Sequence, residues 1–170
     1  DALRLVRVRA QAMQEAVPVG QGGMAAILGL DDDKVRQACR EAAGETPGEV
    51  VEPANYNAPA QVVIAGHKAA VERACERARA LGAKRAMPLA VSAPFHSSLL
   101  RPAGERLAQA LASVELRAPQ VPLVNNVDVA IETEPARIRD ALVRQSYGPV
   151  RWVEVVQRLK ALGVTRVVEF

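Results

Sequence analysis

The sequence of 170 residues contains few aromatic, cysteine and histidine residues. Because aromatic residues make up only 3% of it, a folded core has to be built from Ala, Val, Leu and Ile. The two cysteines do not form a C-x-x-C and the two histidines are not paired, so the spacing of a zinc site of about four ligands is missing and no metal is expected. Cys39 and Cys75 each fall on the apolar side of a predicted helix, which favours core packing over a disulfide.

Long apolar runs and blocks of one charge are also missing. No run approaches the ~20 apolar residues that a membrane-spanning helix needs. The sequence also lacks the basic segment followed by an apolar stretch that would predict a signal peptide. The net charge of +3 is small and acidic residues are interspersed with basic ones, which argues against nucleic-acid binding. We therefore expect a cytoplasmic protein without a membrane or nucleic-acid partner.

Residues 20–91 alternate between strand and helix patterns. After a glycine-containing connector, the order is strand, helix, strand, strand, helix, strand, and Asp31 or Asp32 is placed to cap the first helix. Gly82 is placed to end the second helix. This order is the split βαβ, or ferredoxin-like, arrangement. The predicted strands are 24–28, 49–55, 61–65 and 84–91.

The flanking segments predict parts of a larger α/β domain. Helices are expected over 1–16, from near Pro102, and over 135–147 and 151–162, with short strands at 121–124 and 164–170. Helices alternating with short apolar strands are typical of a parallel, doubly wound sheet. The predicted division is 1–19 and 92–170 in the large subdomain and 20–91 in an inserted small one. Both ends fall inside predicted elements, which suggests part of a longer polypeptide.

Several polar residues could have either a structural or a functional role. His96 follows a strand and precedes a helix, and such crossovers carry sites in α/β folds. The other histidine, His67, has the position of a helix cap or surface residue. Arg9 is either a solvated charge or a guanidinium turned toward a carboxylate. Asn57, beside a second amide at Asn55, would ordinarily cap backbone groups, and Gln145 would ordinarily be exposed.

In order along the chain, six segments resemble the malonyl-CoA:acyl-carrier-protein transacylase family of bacterial fatty-acid synthesis. They include Ser92-Ala-Pro-Phe-His96 and Arg144-Gln145-Ser-Tyr147. The resemblance implies an α/β fold: part of an α/β-hydrolase-like large subdomain with an inserted ferredoxin-like small subdomain. The segments are 4–16, 24–30, 55–67, 92–99, 124–128 and 141–152.

The resemblance also implies a reaction. A serine attacks the thioester of malonyl-CoA, and the pantetheine thiol of acyl carrier protein then takes the malonyl group. His96 would be the base, anchored by the backbone carbonyl of Gln145, and Arg9 would pair with the malonate carboxylate. No cofactor of the enzyme itself is implied.

The same resemblance extends to neighbouring residues. Met13 and Phe95 would contact the acyl group, with Phe95 disfavouring a branched one, and Asn57 would support the site by hydrogen bonds. The sequence departs from the family pattern because it contains no G-x-S-x-G nucleophile elbow. We therefore expect the elbow upstream of Asp1 and no activity of these 170 residues alone. The full-length form is expected to be a monomer.

Other functions fit some of these features. An acyltransferase domain of a polyketide synthase shares the motifs, although 55–61 and 144–152 are closer to the free-standing bacterial enzymes. A hydrolase would use the same base, but Arg9 suits a dicarboxylic acyl group. The ferredoxin-like unit could instead be a non-catalytic docking module that meets an acidic carrier protein. Basic residues that could make this contact include Lys68, Arg73, Lys84 and Arg85.

Overall fold

The computed structural model describes residues 2–169 and contains one sheet and six α-helices within them. None of these helices combines the length and apolar character that a bilayer crossing requires. A 3₁₀ turn at Ser98–Leu100 leads into the fourth helix. The helices and strands are α1 (Ala2–Glu15), β1 (Gly22–Leu28), α2 (Asp32–Gly44), β2 (Val51–Ala58), β3 (Gln61–His67), α3 (Lys68–Ala80), β4 (Arg85–Pro88), α4 (Arg101–Ala112), α5 (Pro135–Gln145) and α6 (Trp152–Ala161).

The sheet has four antiparallel strands in the order β2-β3-β1-β4. β1 lies inside it and pairs with β3 along its whole length, from Gly22 opposite His67 to Leu28 opposite Gln61. The predicted order of strands and helices in this unit is confirmed. Because α2 and α3 are the two crossovers, the chain forms a ferredoxin-like unit. The proposed division at 19/20 and 91/92 stays a prediction.

Apolar side chains cover both faces of the sheet, because successive residues of a strand point to opposite sides. Ile27 and Ile64 face α2 and α3, where both cysteines are buried as predicted. The opposite face carries a second cluster, formed by Met24, Ala54, Val63 and Ala65. This second face is turned toward the rest of the chain.

A third cluster joins α1 to the start of α4. It contains Ala12, Met13, Val17, Leu100 and Ala103. Phe95 packs against this cluster and also against the second face of the sheet. The junction of these two clusters therefore fixes α1 relative to the ferredoxin-like unit.

Residues 149–151 are attached to the outer edge of β2. The backbone N–H of Tyr56 donates to the carbonyl of Val150 at 2.9 Å, and the Val150 N–H donates to the carbonyl of Ala54 at 2.8 Å. Asn55 and Val150 thus form a parallel bridge. This attachment places the end of α5 close to β2.

Three predicted strands differ from the structure. Residues 121–124 form only a single bridge, between Val124 and Ile131, and residues 164–169 have no regular structure; Phe170 and Asp1 lie outside the described residues. β-branched residues form strands only where a partner strand satisfies their backbone groups, and within 2–169 no strand lies beside either segment. The strand predicted at 84–91 is shorter in the structure and ends at Pro88. The only sheet within the described residues is antiparallel, which differs from the parallel sheet expected of the flanking segments.

Gly66 lies close to the backbone at the start of β2. A Cβ atom there would lie 2.0 Å from the carbonyl oxygen of Val50 and 2.6 Å from the Cα of Val51. We expect Gly66→Ala to lower the free energy of unfolding by about 3 kcal/mol, because backbone has to move. Gly44→Ala is the matched control, since nothing lies within 4 Å and the effect should stay within about 1 kcal/mol. Urea denaturation of both variants measures the difference, and equal midpoints would contradict the prediction.

Candidate active site

An open cleft of about 430 Å³ lies between α1, the sheet and the turn after β4. Two of its lining residues, Arg9 and His96, are ionisable, and the others are apolar or carry amides. Apolar walls with a few convergent polar groups are typical of a small-molecule site. The cleft is lined by Arg9, Ala10, Met13, Gln14, Met24, Asn55, Phe95 and His96.

His96 is held by its ring nitrogen Nδ1, which lies 3.1 Å from the backbone carbonyl oxygen of Gln145. The last carbonyls of a helix have no partner inside the helix, so the end of α5 has an acceptor to offer. A carbonyl only accepts, so Nδ1 carries the proton and Nε2 has the free lone pair of the neutral ring. The arrangement prepares His96 to accept a proton at Nε2.

The pKa of His96 is lowered from its ordinary value of 6.5, chiefly because the ring is buried. The backbone hydrogen bonds of Gln145 and Gly148 raise it in part, and the positive charge of Arg9 lowers it further. His96 is therefore neutral at pH 7, which is the state that a general base needs.

Arg9 lies on α1, and its Nη2 donates to the side-chain oxygen Oε1 of Gln145 at 2.7 Å. Burial lowers the pKa of Arg9, but a guanidinium stays charged in proteins. No carboxylate within residues 2–169 forms an ion pair with it. Because its partner is a neutral amide, the positive charge of Arg9 is not neutralised and can bind an anionic ligand in the cleft.

Gln145 therefore contacts both ionisable residues of the cleft, His96 through its carbonyl and Arg9 through its side chain. The end of α5 is itself fixed by Arg144, whose Nη1 and Nη2 donate to the two carboxylate oxygens of Asp128 at 2.8 and 2.7 Å. This two-point contact is well defined in direction. It determines where the carbonyl that orients His96 lies.

The two residues expected to contact the acyl group, Met13 and Phe95, both line the cleft. Met13 is buried on α1 and Phe95 is half-buried beside His96. Gln14, which sequence reasoning did not single out, also lines the cleft, and its Nε2 donates to Ser92 Oγ at 2.6 Å. A polar residue on an otherwise amphipathic helix gives no signal that its partner lies 78 residues away.

Asn57 was expected to support the site, but the structure places the other asparagine of β2, Asn55, in the cleft. Asn57 is exposed and does not line the cleft. The pairing of β2 with β3 skips Ala54 and Asn57, so these two residues stand at irregular positions of the strand. An extra residue in a strand changes which side chains face which side. Simple alternation along the sequence therefore cannot tell which amide faces the site.

His67 lies outside the cleft and is not a helix-capping side chain. Its Nδ1 accepts a hydrogen bond from the backbone N–H of Val50 at 2.9 Å, so it joins β3 to the segment before β2. Across the described residues, no group of three or more His, Cys, Asp or Glu side chains is arranged to hold a metal ion.

A comparison with known proteins assigns the chain to a family. The family model described as "Acyl transferase domain" matches residues 1–170. The chain belongs to the acyl transferase domain family. Its mixed α/β architecture is the one found in solved members of this family.

Several relatives within the acyl transferase domain family have names that state an activity. The malonyl CoA-acyl carrier protein transacylase of Escherichia coli (strain K12) is 56% identical over 169 residues. An acyl-carrier-protein S-malonyltransferase structure from Burkholderia pseudomallei 1710b has 64% identity and a TM-score of 0.94, with 99% of this chain and 54% of that chain covered. The chain spans about half the length of the relatives it matches: 99% of it aligns with 54% of the E. coli protein.

A third relative is a complex of two proteins. It is a structure of a type II PKS acyl-carrier protein with its malonyl-transacylase, with 53% identity and a TM-score of 0.92. This match covers 96% of the present chain and 52% of that chain. Acyl transferase domains of this similarity thus include one that has been seen bound to a carrier protein.

Proposed function

We propose that this chain, as part of the complete protein, transfers a malonyl group from malonyl-CoA to the pantetheine thiol of acyl carrier protein. The observation that carries the proposal is that an anchored, neutral His96 and the cationic Arg9 line one cleft and share Gln145 as a partner. A base and a carboxylate receptor side by side suit an acyl group that carries its own carboxylate. The names and the high identity of the relatives support the same activity.

The first half of the reaction loads the enzyme. A serine from outside these 170 residues attacks the thioester carbonyl carbon while Nε2 of His96 takes the hydroxyl proton. The carbon–sulfur bond then breaks, and the CoA sulfur leaves with the proton from His96. Malonate is left as an ester on the serine. His96 returns to its neutral form.

The second half unloads it by the same steps in reverse order. Nε2 of His96 takes the proton of the pantetheine thiol, and the thiolate attacks the ester carbonyl. The serine oxygen leaves and regains its proton from His96. The guanidinium of Arg9 holds the malonate carboxylate by two parallel hydrogen bonds throughout, which selects malonyl over uncharged acyl groups.

The experiment mixes the complete protein with malonyl-CoA and follows its intact mass. We expect an increase by one malonyl group, which disappears when holo acyl carrier protein is added and appears on the carrier protein. Carrier protein without phosphopantetheine is the control and should stay unlabelled. A complete protein that gains no malonyl group, or keeps it in the presence of holo carrier protein, would contradict the proposal.

We also propose that residues 1–170 alone cannot be acylated. They contain no G-x-S-x-G, so the base has no activated serine to serve. The same mass measurement on the isolated polypeptide tests this, and a stable malonyl adduct would show the proposal to be wrong.

A further inference from the structure

The turn that carries His96 is attached to the sheet through Glu52. This residue lies on β2, where it pairs with Ala65 of β3, and its Oε1 accepts a hydrogen bond from the backbone N–H of Ser98. Ser98 is the first residue of the 3₁₀ turn and comes two positions after His96. The contact therefore joins the base segment to a strand 46 residues earlier in the chain.

The start of this turn has no local side-chain cap. Ser97 stands at the capping position, but its hydroxyl donates to the carbonyl of Pro94 at 2.7 Å and makes no bond to the turn. The first N–H groups of a helical segment lack internal partners. Glu52 satisfies one of them, and its negative charge lies at the end of the segment that favours an anion.

The conformation of His96 makes such an external contact important. Its φ of +59° is in the left-handed region, which side chains other than glycine adopt only where their surroundings hold them there. Near this residue the turn packs on β1, since a Cβ atom on Gly22 would lie 2.4 Å from Cδ of Pro94. The Glu52 contact fixes the turn to the sheet on the other side of His96.

We propose that Glu52 is a positioning residue: by capping the turn after His96, it keeps the imidazole in the cleft with Nδ1 on the Gln145 carbonyl. The proposal rests on the proposed function only in taking His96 to be the base. Nothing in it requires Glu52 to touch substrate or a reacting atom.

The direction in which the pKa of His96 changes when Glu52 is replaced distinguishes a positioning role from a simple effect of charge. A carboxylate near an imidazole stabilises the imidazolium, so loss of that charge alone would lower the pKa of His96. Loss of position has the opposite effect, because the ring leaves its buried site and moves away from Arg9, the charged group that faces it. A pKa that rises toward 6.5 when Glu52 is removed therefore reports a loss of position.

The test uses Glu52→Ala, Glu52→Gln and Ser98→Pro in the complete protein. Gln keeps an acceptor oxygen, whereas Pro at 98 removes the donor N–H. Proline is tolerated at the first position of a helical turn, and Ser97 has φ −112° and ψ 162°, the conformation preferred before proline. Glu105→Ala, an exposed carboxylate on α4, is the matched control.

Nuclear magnetic resonance of the His96 ring gives the first readout, with the signal identified by its loss in His96→Gln. We expect Glu52→Ala and Ser98→Pro to raise the His96 pKa and to reduce the fraction of ring protonated at Nδ1. Glu105→Ala should leave both unchanged. Glu52→Gln, which keeps the acceptor and loses only the charge, should leave the Nδ1-protonated fraction unchanged and should not raise the pKa. This readout does not depend on which acyl group the enzyme transfers.

Kinetics of malonyl transfer give the second readout. We expect kcat to fall about ten- to a hundredfold in Glu52→Ala and Ser98→Pro, with KM within about twofold, because a displaced base slows the proton transfer. The double variant Glu52→Ala/Ser98→Pro should lose no more than either single variant.

Three results would overturn the proposal. They are an unchanged or lowered His96 pKa in Glu52→Ala, a Glu52→Gln variant as impaired as Glu52→Ala, and additive losses in the double variant. If Glu52→Ala does not fold, Ser98→Pro decides by the same two readouts. A protein that transfers no malonyl group refutes the proposed function, while the resonance measurement still decides the role of Glu52.

Discussion

Replacement of His96 by Gln in the complete protein is expected to lower kcat for malonyl transfer about 10³-fold, since a general base contributes about 10²–10⁴-fold. Glutamine can still hydrogen-bond in the cleft, but it cannot accept the serine or thiol proton at neutral pH. Both halves of the reaction should slow. Steady-state transfer to carrier protein measures the loss, and single-turnover loading of the enzyme measures the first half alone.

The other histidine of the chain provides the control. His67 accepts a hydrogen bond from the backbone N–H of Val50 at the end of β3 and lies outside the cleft. His67→Gln should lower the melting temperature while kcat per folded molecule stays within about twofold. Equal losses of kcat in the two variants would show that His96 has no special role in proton transfer.

The pH profile of the unsubstituted enzyme follows from the same residue. The pKa of His96 is lowered, mainly by burial, so the ring becomes protonated only below its ordinary value of 6.5. A protonated ring cannot act as base. We therefore expect kcat/KM to be constant around pH 7 and to fall on the acid side with an apparent pKa below 6.5.

Replacement of Arg9 by Gln is expected to lower kcat/KM for malonyl-CoA about 10³-fold and to leave acetyl-CoA nearly unaffected. Each hydrogen bond to a charged group contributes about 1.5–3 kcal/mol, and two of them hold the malonate carboxylate in the proposed complex. An acetyl group has no carboxylate to lose. The ratio of kcat/KM for the two substrates is the measurement.

Two further variants define the cause of that effect. Arg9→Lys keeps the charge but loses the planar fork, so it should retain only part of the malonyl preference. Arg7→Gln removes an exposed arginine from the same helix and should leave kcat/KM for both substrates unchanged. If Arg9→Gln lowered kcat/KM for malonyl-CoA and acetyl-CoA equally, Arg9 would support the fold of the cleft rather than bind the carboxylate.

The ferredoxin-like unit could be predicted because its signals are local. Helix faces at 3.6-residue spacing, Gly82 after α3 and apolar strands between them suffice for the order of elements. The strands expected at 121–124 and 164–170 have the same local composition, yet the described part of each remains irregular. A strand depends on a neighbour in space, and composition alone does not report one.

The candidate site could be predicted only in part for a similar reason. His96, Arg9 and Gln145 come together from three distant segments, and only the resemblance to a family pointed to them as a set. Asn55 lines the cleft instead of Asn57 because of the irregular pairing of β2. Glu52 gave no signal, since a carboxylate on a strand has many possible partners.

Phe95 has a consequence for attempts to change the acyl group that is transferred. Its ring forms one wall of the cleft and also packs on two apolar clusters, one beneath α1 and α4 and one on the sheet. A smaller residue at 95 would widen the cleft for a branched acyl chain, but it would also leave a void where the two clusters meet. Substrate range and rigidity are therefore linked at this position, and a useful variant would need a second substitution that refills the void, for example at Met24.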